Sequence, residues 1–214
     1  LDNAKDAGVK VFMVGDHITV REVSKDEHDH SDEETSETTE AKEDGHDHGA
    51  YDPHLWLSPG AMLEMLPQLS DALSTAIGTD LSAQRTTLES ALTALDSEIK
   101  EIMSGFTCEL VSGHDEMGYF ADRYGCEVIG AIIPSFSTTS EASAGELADL
   151  KAEVETHGVP AIFTGIGTSP DVAEQLAAEL GVKAVTLSTH FLDGAADYQE
   201  FMLRMVNQIA EALG

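Results

Sequence analysis

The sequence predicts an α/β protein built around a parallel sheet. Between residues 107 and 213, short apolar segments alternate with amphipathic ones in four consecutive strand–helix units. Such a series folds into a parallel sheet with helices on both faces. Upstream, residues 81–103 keep a helical period for more than twenty residues, long enough for one helix to span a domain or connect two. With 42% hydrophobic residues in 214, the chain can bury a substantial core.

The first 80 residues predict fewer regular elements. Residues 1–8 are typical of the end of a helix that Gly8 closes, and Val9–Val14 is typical of a short apolar strand. Residues 60–77 have helical spacing, and Gly78 follows as a helix terminator. The apolar face of that helix would contain Met62, Leu66, Leu69 and Leu73.

The long helix and the four units after it have the clearest patterns. The apolar stripe of the helix comprises Leu88, Leu92, Leu95, Ile99 and Ile102. We expect strands at 107–111, 127–133, 161–164 and 184–187, and helices at 116–124, 144–157, 171–180 and 197–213. Ligands of parallel sheets bind beyond the carboxyl ends of the strands, so a site is expected in the segments that follow these strands.

The chain is strongly acidic, with a net charge of −29. A surface of this sign attracts cations and repels nucleic acid and anionic membranes, so we expect no nucleic-acid or membrane partner. The same charge also suits solubility or adaptation to high salt. No apolar run approaches the roughly 18 to 20 residues of a membrane span, and residues 1–20 lack a signal-peptide pattern. The chain begins at Leu1, and we expect a fragment or a processed form.

Residues 22–49, called the His-rich segment below, have almost no apolar side chains. They contain 12 acids, 2 lysines and four of the nine histidines. These histidines form two His-Asp-His units: His28, His30, His46 and His48. Such units with intervening acids make weak, flexible sites for divalent metals, so we expect metal capture by a segment that is disordered without metal. The alternative interpretation is an ordinary acidic linker.

Three other histidines are candidate metal ligands. His54 lies in a short apolar segment directly after the His-rich segment. His114 and His190 each follow a predicted strand, the first and the last of the four units. Because both strands should end at the same edge of the sheet, the two imidazoles can converge on one point, and His54 would supply a third nitrogen.

The two cysteines, Cys108 and Cys126, are 18 residues apart and have no metal-binding spacing. Each lies at the edge of a predicted strand. If these strands are neighbours, the thiols could form a disulfide, which would suit an oxidising compartment. Two free buried thiols are the alternative.

Several of these segments together resemble the metal-binding solute-binding proteins of ABC transporters, the zinc and manganese uptake group. The resembling segments are the His-rich segment, 52–57 (DPHLWL), 113–120 (GHDEMGYF), 134–144 (PSFSTTSEASA) and 189–192 (THFL). The resemblance covers essentially the whole chain. It implies two parallel-sheet lobes joined by one long rigid helix, with the metal between them. We accordingly expect an incomplete N-terminal lobe at 1–79, a linker helix at 80–104 and a C-terminal lobe at 105–214.

Transferred to this chain, the resemblance makes His54 a ligand from the first lobe and His114 a ligand from the second. A further ligand of the family is usually an aspartate, and His190 stands at the matching position, with Asp193 as the alternative. An imidazole there favours zinc over manganese, which prefers oxygen. The family also carries another histidine in a segment that would precede Leu1, so we expect an N-terminally truncated form. The nearest acceptors for the imidazole N–H groups are Asp52, Asp115 and Glu116.

The function that the resemblance implies is extracytoplasmic capture of a divalent metal, most of all zinc, and its delivery to an ABC-type importer. The expected partners are a transporter permease and the metal ion, and the protein is expected to be a monomer in the periplasm or a lipoprotein at the cell surface. A zinc-dependent hydrolase with Asp115 or Glu116 as general base is one alternative. The sequence contains neither a His-Glu-x-x-His motif nor a nucleophile elbow, so we do not expect the protein to be an enzyme. A free-standing zinc buffer or chaperone is the other alternative.

Overall fold

The structure is a computed structural model that describes residues 8–21, 51–137, 140–165 and 167–214. The helix end expected at 1–8 lies, up to residue 7, outside the described residues, and so does the His-rich segment with its four histidines.

Four strands form one parallel sheet. They are β1 (Glu109–His114), β2 (Glu127–Ile133), β3 (Ala161–Thr164) and β4 (Lys183–Thr186). Their order in the sheet is β2-β1-β3-β4, and all three neighbouring pairs are parallel. The predicted fold class is therefore confirmed, with the strand boundaries within a few residues of those expected. The carboxyl ends of the central strands β1 and β3 and of the edge strand β4 lie at one side of the sheet.

Six α-helices accompany the sheet in the described ranges. They are α1 (Pro59–Ile77), α2 (Ser82–Met103), α3 (Gly118–Tyr124), α4 (Ala144–His157), α5 (Pro170–Leu180) and α6 (Tyr198–Leu213). Residues that favour helix ends explain several of their bounds. Ser143 caps α4 in a reciprocal capping box with Glu146, and Gly158 ends it in the left-handed conformation that glycine tolerates best. None of the helices described is long and apolar enough to cross a membrane.

The main hydrophobic core lies between the sheet and helices α2, α3 and α6. Its fully buried members include Leu95 and Ile99 of α2, Phe120 of α3 and Met202 of α6. Helix α2 packs against α1 and α6, which connects the His54 side of the molecule to the sheet. Leu88 of the predicted stripe is 47% exposed, and the buried residues of α2 begin only at Leu92.

The strand predicted at 9–14 is wrong. Residues 9–13 form no strand, and Val14–His17 form a short 3-10 helix. A strand needs a neighbour that pairs with its backbone N–H and C=O groups. No strand lies beside 9–14 among the described residues, and Val9 is 57% exposed.

Cys108 and Cys126 are joined by a disulfide. Each precedes its strand by one residue, and β1 and β2 are parallel neighbours whose first residues, Glu109 and Glu127, pair in register. The two thiols therefore lie side by side at the amino ends of these strands. Of the two alternatives that the sequence left open, the structure contains the bonded one.

Candidate metal centre

His54 is held in place by the segment that precedes a short 3-10 helix, Leu55–Leu57. Its side chain is 2% exposed. Asp52 Oδ1 accepts a hydrogen bond from the His54 backbone N–H at 2.9 Å and lies 2.8 Å from the ring Nδ1. An Nδ1–H that donates to a carboxylate fixes the tautomer, which leaves Nε2 unprotonated and able to bind a metal.

Asp52 is in turn fixed by Arg21. The backbone N–H of Asp52 donates to the Arg21 carbonyl at 3.2 Å, and the guanidinium lies 3.8 Å from Asp52 Oδ2. Arg21 also donates through Nε to Asp122 at 3.1 Å and through its backbone N–H to the Tyr119 hydroxyl at 3.0 Å. Arg21 and Tyr51 are the described residues on either side of the His-rich segment. The chain thus enters and leaves that segment beside the carboxylate that contacts His54.

His114 is the last residue of β1 and is fully buried. Neither of its ring nitrogens has a hydrogen-bond partner among the described residues. Burial lowers its pKa to about 4, and the nearby His54 and His190 contribute to this because a second or third imidazolium would be repelled. A neutral imidazole with free nitrogens is the form that binds a transition metal.

His190 lies in the loop that follows β4, and its side chain is 18% exposed. Its Nδ1 lies 2.9 Å from the Thr189 hydroxyl. Burial, and after it the nearby His54, lower the pKa of His190 below its ordinary value. The loop after the last strand therefore delivers a neutral imidazole to the same edge of the sheet as His114.

The three imidazoles converge on one point. A ligand nitrogen from each of His54, His114 and His190 lies within 4.8 Å of the other two. The ring centroids are 5.2 Å apart for His54 and His114, 5.6 Å for His54 and His190, and 5.3 Å for His114 and His190. Nitrogens bound at about 2.0 to 2.1 Å to one tetrahedral zinc ion are about 3.4 Å apart. A small inward movement of the rings would therefore complete the geometry.

A buried carboxylate lies beside two of these imidazoles. Glu116 is 2% exposed, and its Oε2 lies 3.6 Å from His114 Nε2 and 3.5 Å from His190 Nδ1. Burial raises the pKa of Glu116 to about 7, although a hydrogen bond from Thr189 opposes the shift. The neighbouring Asp115 is only partly buried and donates its backbone N–H to the Ser135 carbonyl at 3.1 Å.

Asp193, the predicted alternative to His190, is not brought to the group. It is exposed, has a φ of 45°, and its carbonyl accepts a hydrogen bond from Arg204 at 3.3 Å. Asp52 contacts His54, and Glu116 contacts His114 and His190.

Sequence reasoning missed the residues that connect the His54 segment to the His190 loop. Trp56 donates its indole N–H to the Thr189 carbonyl at 2.8 Å, and the Tyr198 hydroxyl donates to the Trp56 carbonyl at 2.7 Å. Phe136 lies beside His54, with ring centroids 6.1 Å apart. A signal was present, because a largely buried tryptophan two residues after a ligand needs a partner for its N–H. The partner itself, 133 residues away, could not be read from the sequence.

A parallel α/β fold that brings three imidazoles together at the carboxyl ends of its strands is a scaffold for a transition-metal-binding protein. Comparisons with known proteins specify the class. The sequence model of the family "ZnuA: Zinc-uptake complex component A periplasmic" matches residues 1–212. The chain belongs to this family.

Three relatives illustrate the similarity. The zinc-binding protein AdcA of Streptococcus pyogenes serotype M3 is 32% identical over 180 residues, which cover 81% of this chain and 34% of that protein. The zinc-binding lipoprotein AdcA of Streptococcus pneumoniae serotype 4 is 30% identical over 163 residues, 70% of this chain and 31% of that protein. A zinc-bound variant of AdcAII from Streptococcus pneumoniae aligns at 25% identity and a TM-score of 0.76, over 100% of this chain and 74% of that one. The chain thus spans about a third of the length of the curated relatives it matches.

Proposed function

We propose that this chain captures zinc outside the cytoplasm and delivers it to an ABC-type importer. The observation that carries the proposal is the convergence of His54, His114 and His190, whose ligand nitrogens lie within 4.8 Å of one another. Membership of the periplasmic zinc-uptake family supports zinc as the cargo and an extracytoplasmic location. The name of the lipoprotein relative supports the cell surface as one such location.

The protonation states of the imidazoles suit a protein that must load metal near neutral pH. The pKa of His114 is about 4 and that of His190 is also lowered, so neither ring has to lose a proton before it binds. His190 is the most exposed of the three, at 18%, whereas His54 is 2% and His114 0% exposed. An ion therefore enters from the His190 side and reaches the buried pair last.

The organisation of the chain is part of the same proposal. The linker helix at 80–104 would connect an N-terminal lobe at 1–79 to the C-terminal lobe at 105–214. The His-rich segment would bind zinc weakly and raise its concentration near His54, as a tethered binder does. The protein would act as a monomer, without nucleic acid and without a catalytic step of its own, and would dock to the permease of the importer.

Zinc titration against a competing chelator tests the proposal. We expect one tight site per chain, which survives deletion of residues 22–49 and is lost in His54→Ala. A matched control is His157→Ala, because His157 is a partly exposed residue at the end of α4 that contacts Glu109 and lies outside the imidazole group. Absence of a tight site from the intact chain would contradict the proposal, and so would a tight site that disappears with the His-rich segment.

A further inference from the structure

Glu116 is a buried carboxylate without a matching cation. It is 2% exposed, and its Oε2 has no hydrogen-bond partner among the described residues. Among the described residues, Glu116 forms ion-pair contacts with His114 and His190 and with no lysine or arginine. Burying an ionised carboxylate is costly unless it is paired or coordinates a metal. The position of Glu116 therefore requires either a proton or a cation that arrives later.

The distance between Oε2 and His114 Nε2 is that of two ligands of one ion. Oε2 lies 3.6 Å from His114 Nε2, and neither atom has a hydrogen-bond partner among the described residues. This separation is longer than the donor–acceptor distance of a hydrogen bond, which is about 2.7 to 3.2 Å. It is close to the spacing of about 3.4 Å between an oxygen and a nitrogen that bind one tetrahedral zinc ion at about 2.0 to 2.2 Å. The pair is spaced for an ion between the two atoms rather than for a shared proton.

The surroundings of Glu116 direct one of its oxygens toward the imidazoles. The Thr189 side chain hydrogen-bonds to the carboxyl group. Gly165 lies close to both side chains. A Cβ at this position would be 3.2 Å from Thr189 Oγ1 and 3.6 Å from Glu116 Oε1. Contacts on the Oε1 side thus hold the carboxylate, and Oε2 is left facing the rings of His114 and His190.

We propose that Glu116 is itself a zinc ligand, so that the His114-Asp115-Glu116 segment supplies two ligands and the described residues supply a complete set of three imidazoles and one carboxylate. This inference rests on the proposed function and specifies its site. It differs from the sequence expectation, in which Glu116 only accepts a hydrogen bond from an imidazole. Zinc commonly accepts one carboxylate oxygen beside histidine nitrogens. The negative charge of Glu116 also offsets half the charge of an ion that would otherwise be buried among neutral ligands.

Zinc affinity provides the first measurement. Glu116→Gln keeps the size of the side chain and removes its charge, whereas Glu116→Ala removes the ligand altogether. Loss of a residue that only supports a ligand usually costs about 10- to 100-fold in metal affinity, so we expect both variants to bind zinc more than about a hundredfold more weakly. Glu109→Gln is the matched control, because Glu109 lies at the start of β1, the strand that precedes Glu116, and contacts His157 away from the site. Its affinity should stay within about twofold of the unaltered chain.

Cobalt(II) spectroscopy separates a direct ligand from a supporting one. Cobalt(II) binds the same nitrogen and oxygen donors as zinc, and its visible absorption responds when a small anion enters its coordination shell. With four protein ligands, the cobalt-loaded chain should not respond to thiocyanate. Glu116→Ala should respond, since removal of the carboxylate opens a coordination position. Circular dichroism of each variant would establish that it is folded, and Glu116→Gln serves if the alanine variant is not.

The outcomes distinguish this inference from the proposed function. A thiocyanate response of the unaltered chain equal to that of the variants would overturn the role of Glu116, and so would variants that remain unresponsive. Tight zinc binding that His114→Ala abolishes would still support zinc capture in either case. If the unaltered chain has no tight zinc site at all, the proposed function fails, and the assignment of Glu116 fails with it.

Discussion

Two buried carboxylates, Asp52 and Glu116, flank the same group of imidazoles and differ in what satisfies them. Asp52 accepts hydrogen bonds at Oδ1 from the ring and the backbone of His54, at 2.8 and 2.9 Å, and its Oδ2, which has no hydrogen-bond partner among the described residues, faces the Arg21 guanidinium at 3.8 Å. Glu116 has no arginine beside it among the described residues, and its Oε2 accepts no hydrogen bond there. The difference teaches that burial alone does not define the role of an acid. A buried acid that faces an arginine and hydrogen-bonds to an imidazole orients that ligand, whereas a buried acid with no lysine or arginine beside it among the described residues is poised for the ion.

Removal of His114, the most buried of the three imidazoles, should have the largest effect. In His114→Ala, zinc affinity is expected to fall by about a thousandfold or more, because a fully buried imidazole with two free nitrogens is lost from the centre of the group. Chelator competition measures this, with His157→Ala as the control. Retention of tight zinc binding by His114→Ala would show that the ion binds elsewhere.

Glu116→Gln should have opposite effects on the metal-free and the zinc-loaded protein. Burial raises the pKa of Glu116 from 4.5 to about 7, so folding favours its protonated form. The stability that this proton provides is fully present below pH 4.5 and is lost as the pH rises through 7. Without zinc, Glu116→Gln should therefore be the more stable protein at pH 8, by on the order of 3 kcal/mol, and the difference should vanish near pH 4.5. With zinc, the order should reverse.

Chemical denaturation of both proteins at the two pH values, with chelator and then with zinc, checks this prediction. Equal stabilities at pH 8 without metal would mean that Glu116 is already satisfied in the metal-free fold. Such a result would remove the contrast with Asp52.

Asp52→Asn should have a smaller effect, because the asparagine keeps an acceptor for His54 and loses only the charge. We expect zinc affinity to fall by about tenfold, at the lower end of what loss of a supporting partner costs. The cobalt-loaded variant should stay unresponsive to thiocyanate, since all four ligands remain. A control is Asp71→Asn, which alters a 79% exposed side chain on α1. A thiocyanate response in Asp52→Asn equal to that of Glu116→Ala would contradict the distinction between the two acids.

The disulfide provides the smallest expected effect on zinc. Cys108 directly precedes β1 and lies six residues before His114, the last residue of that strand, about 20 Å away in extended conformation. Replacing both cysteines by serine should leave zinc affinity unchanged. It should lower the free energy of unfolding by about 3 kcal/mol, because the bond closes a loop with a sequence separation of 18. Zinc titration checks the affinity, and chemical denaturation of the same preparation checks the free energy of unfolding. A large loss of zinc affinity would show that the two ends of β1 are coupled.

The sequence predicted the second half of the fold well because its elements are strongly periodic and locally determined. Helix α4 and strand β3 have the expected bounds. The convergence of His114 and His190 followed from topology alone, since both come after parallel strands of one sheet. The strand at 9–14 was wrong because an apolar run fixes a strand only where a partner strand exists.

What could not be predicted depends on contacts between residues far apart in the chain. The bond from the Trp56 indole to Thr189 and the bond from Arg21 to Asp122 join residues 133 and 101 positions apart. Neither is encoded in a local pattern. Glu116 was recognised as a neighbour of the site, but its unsatisfied Oε2 is visible only when burial and partners are known together.

The central claim is that three imidazoles of this chain share one zinc ion. Zinc K-edge X-ray absorption of the chain loaded with one equivalent of zinc tests it most directly. Replacing the four histidines of the His-rich segment by asparagine keeps them from contributing to the signal. The account predicts a four-coordinate ion with three imidazole nitrogens at about 2.0 to 2.1 Å and one oxygen. A spectrum with one imidazole or none, in a zinc-loaded folded chain, would contradict it.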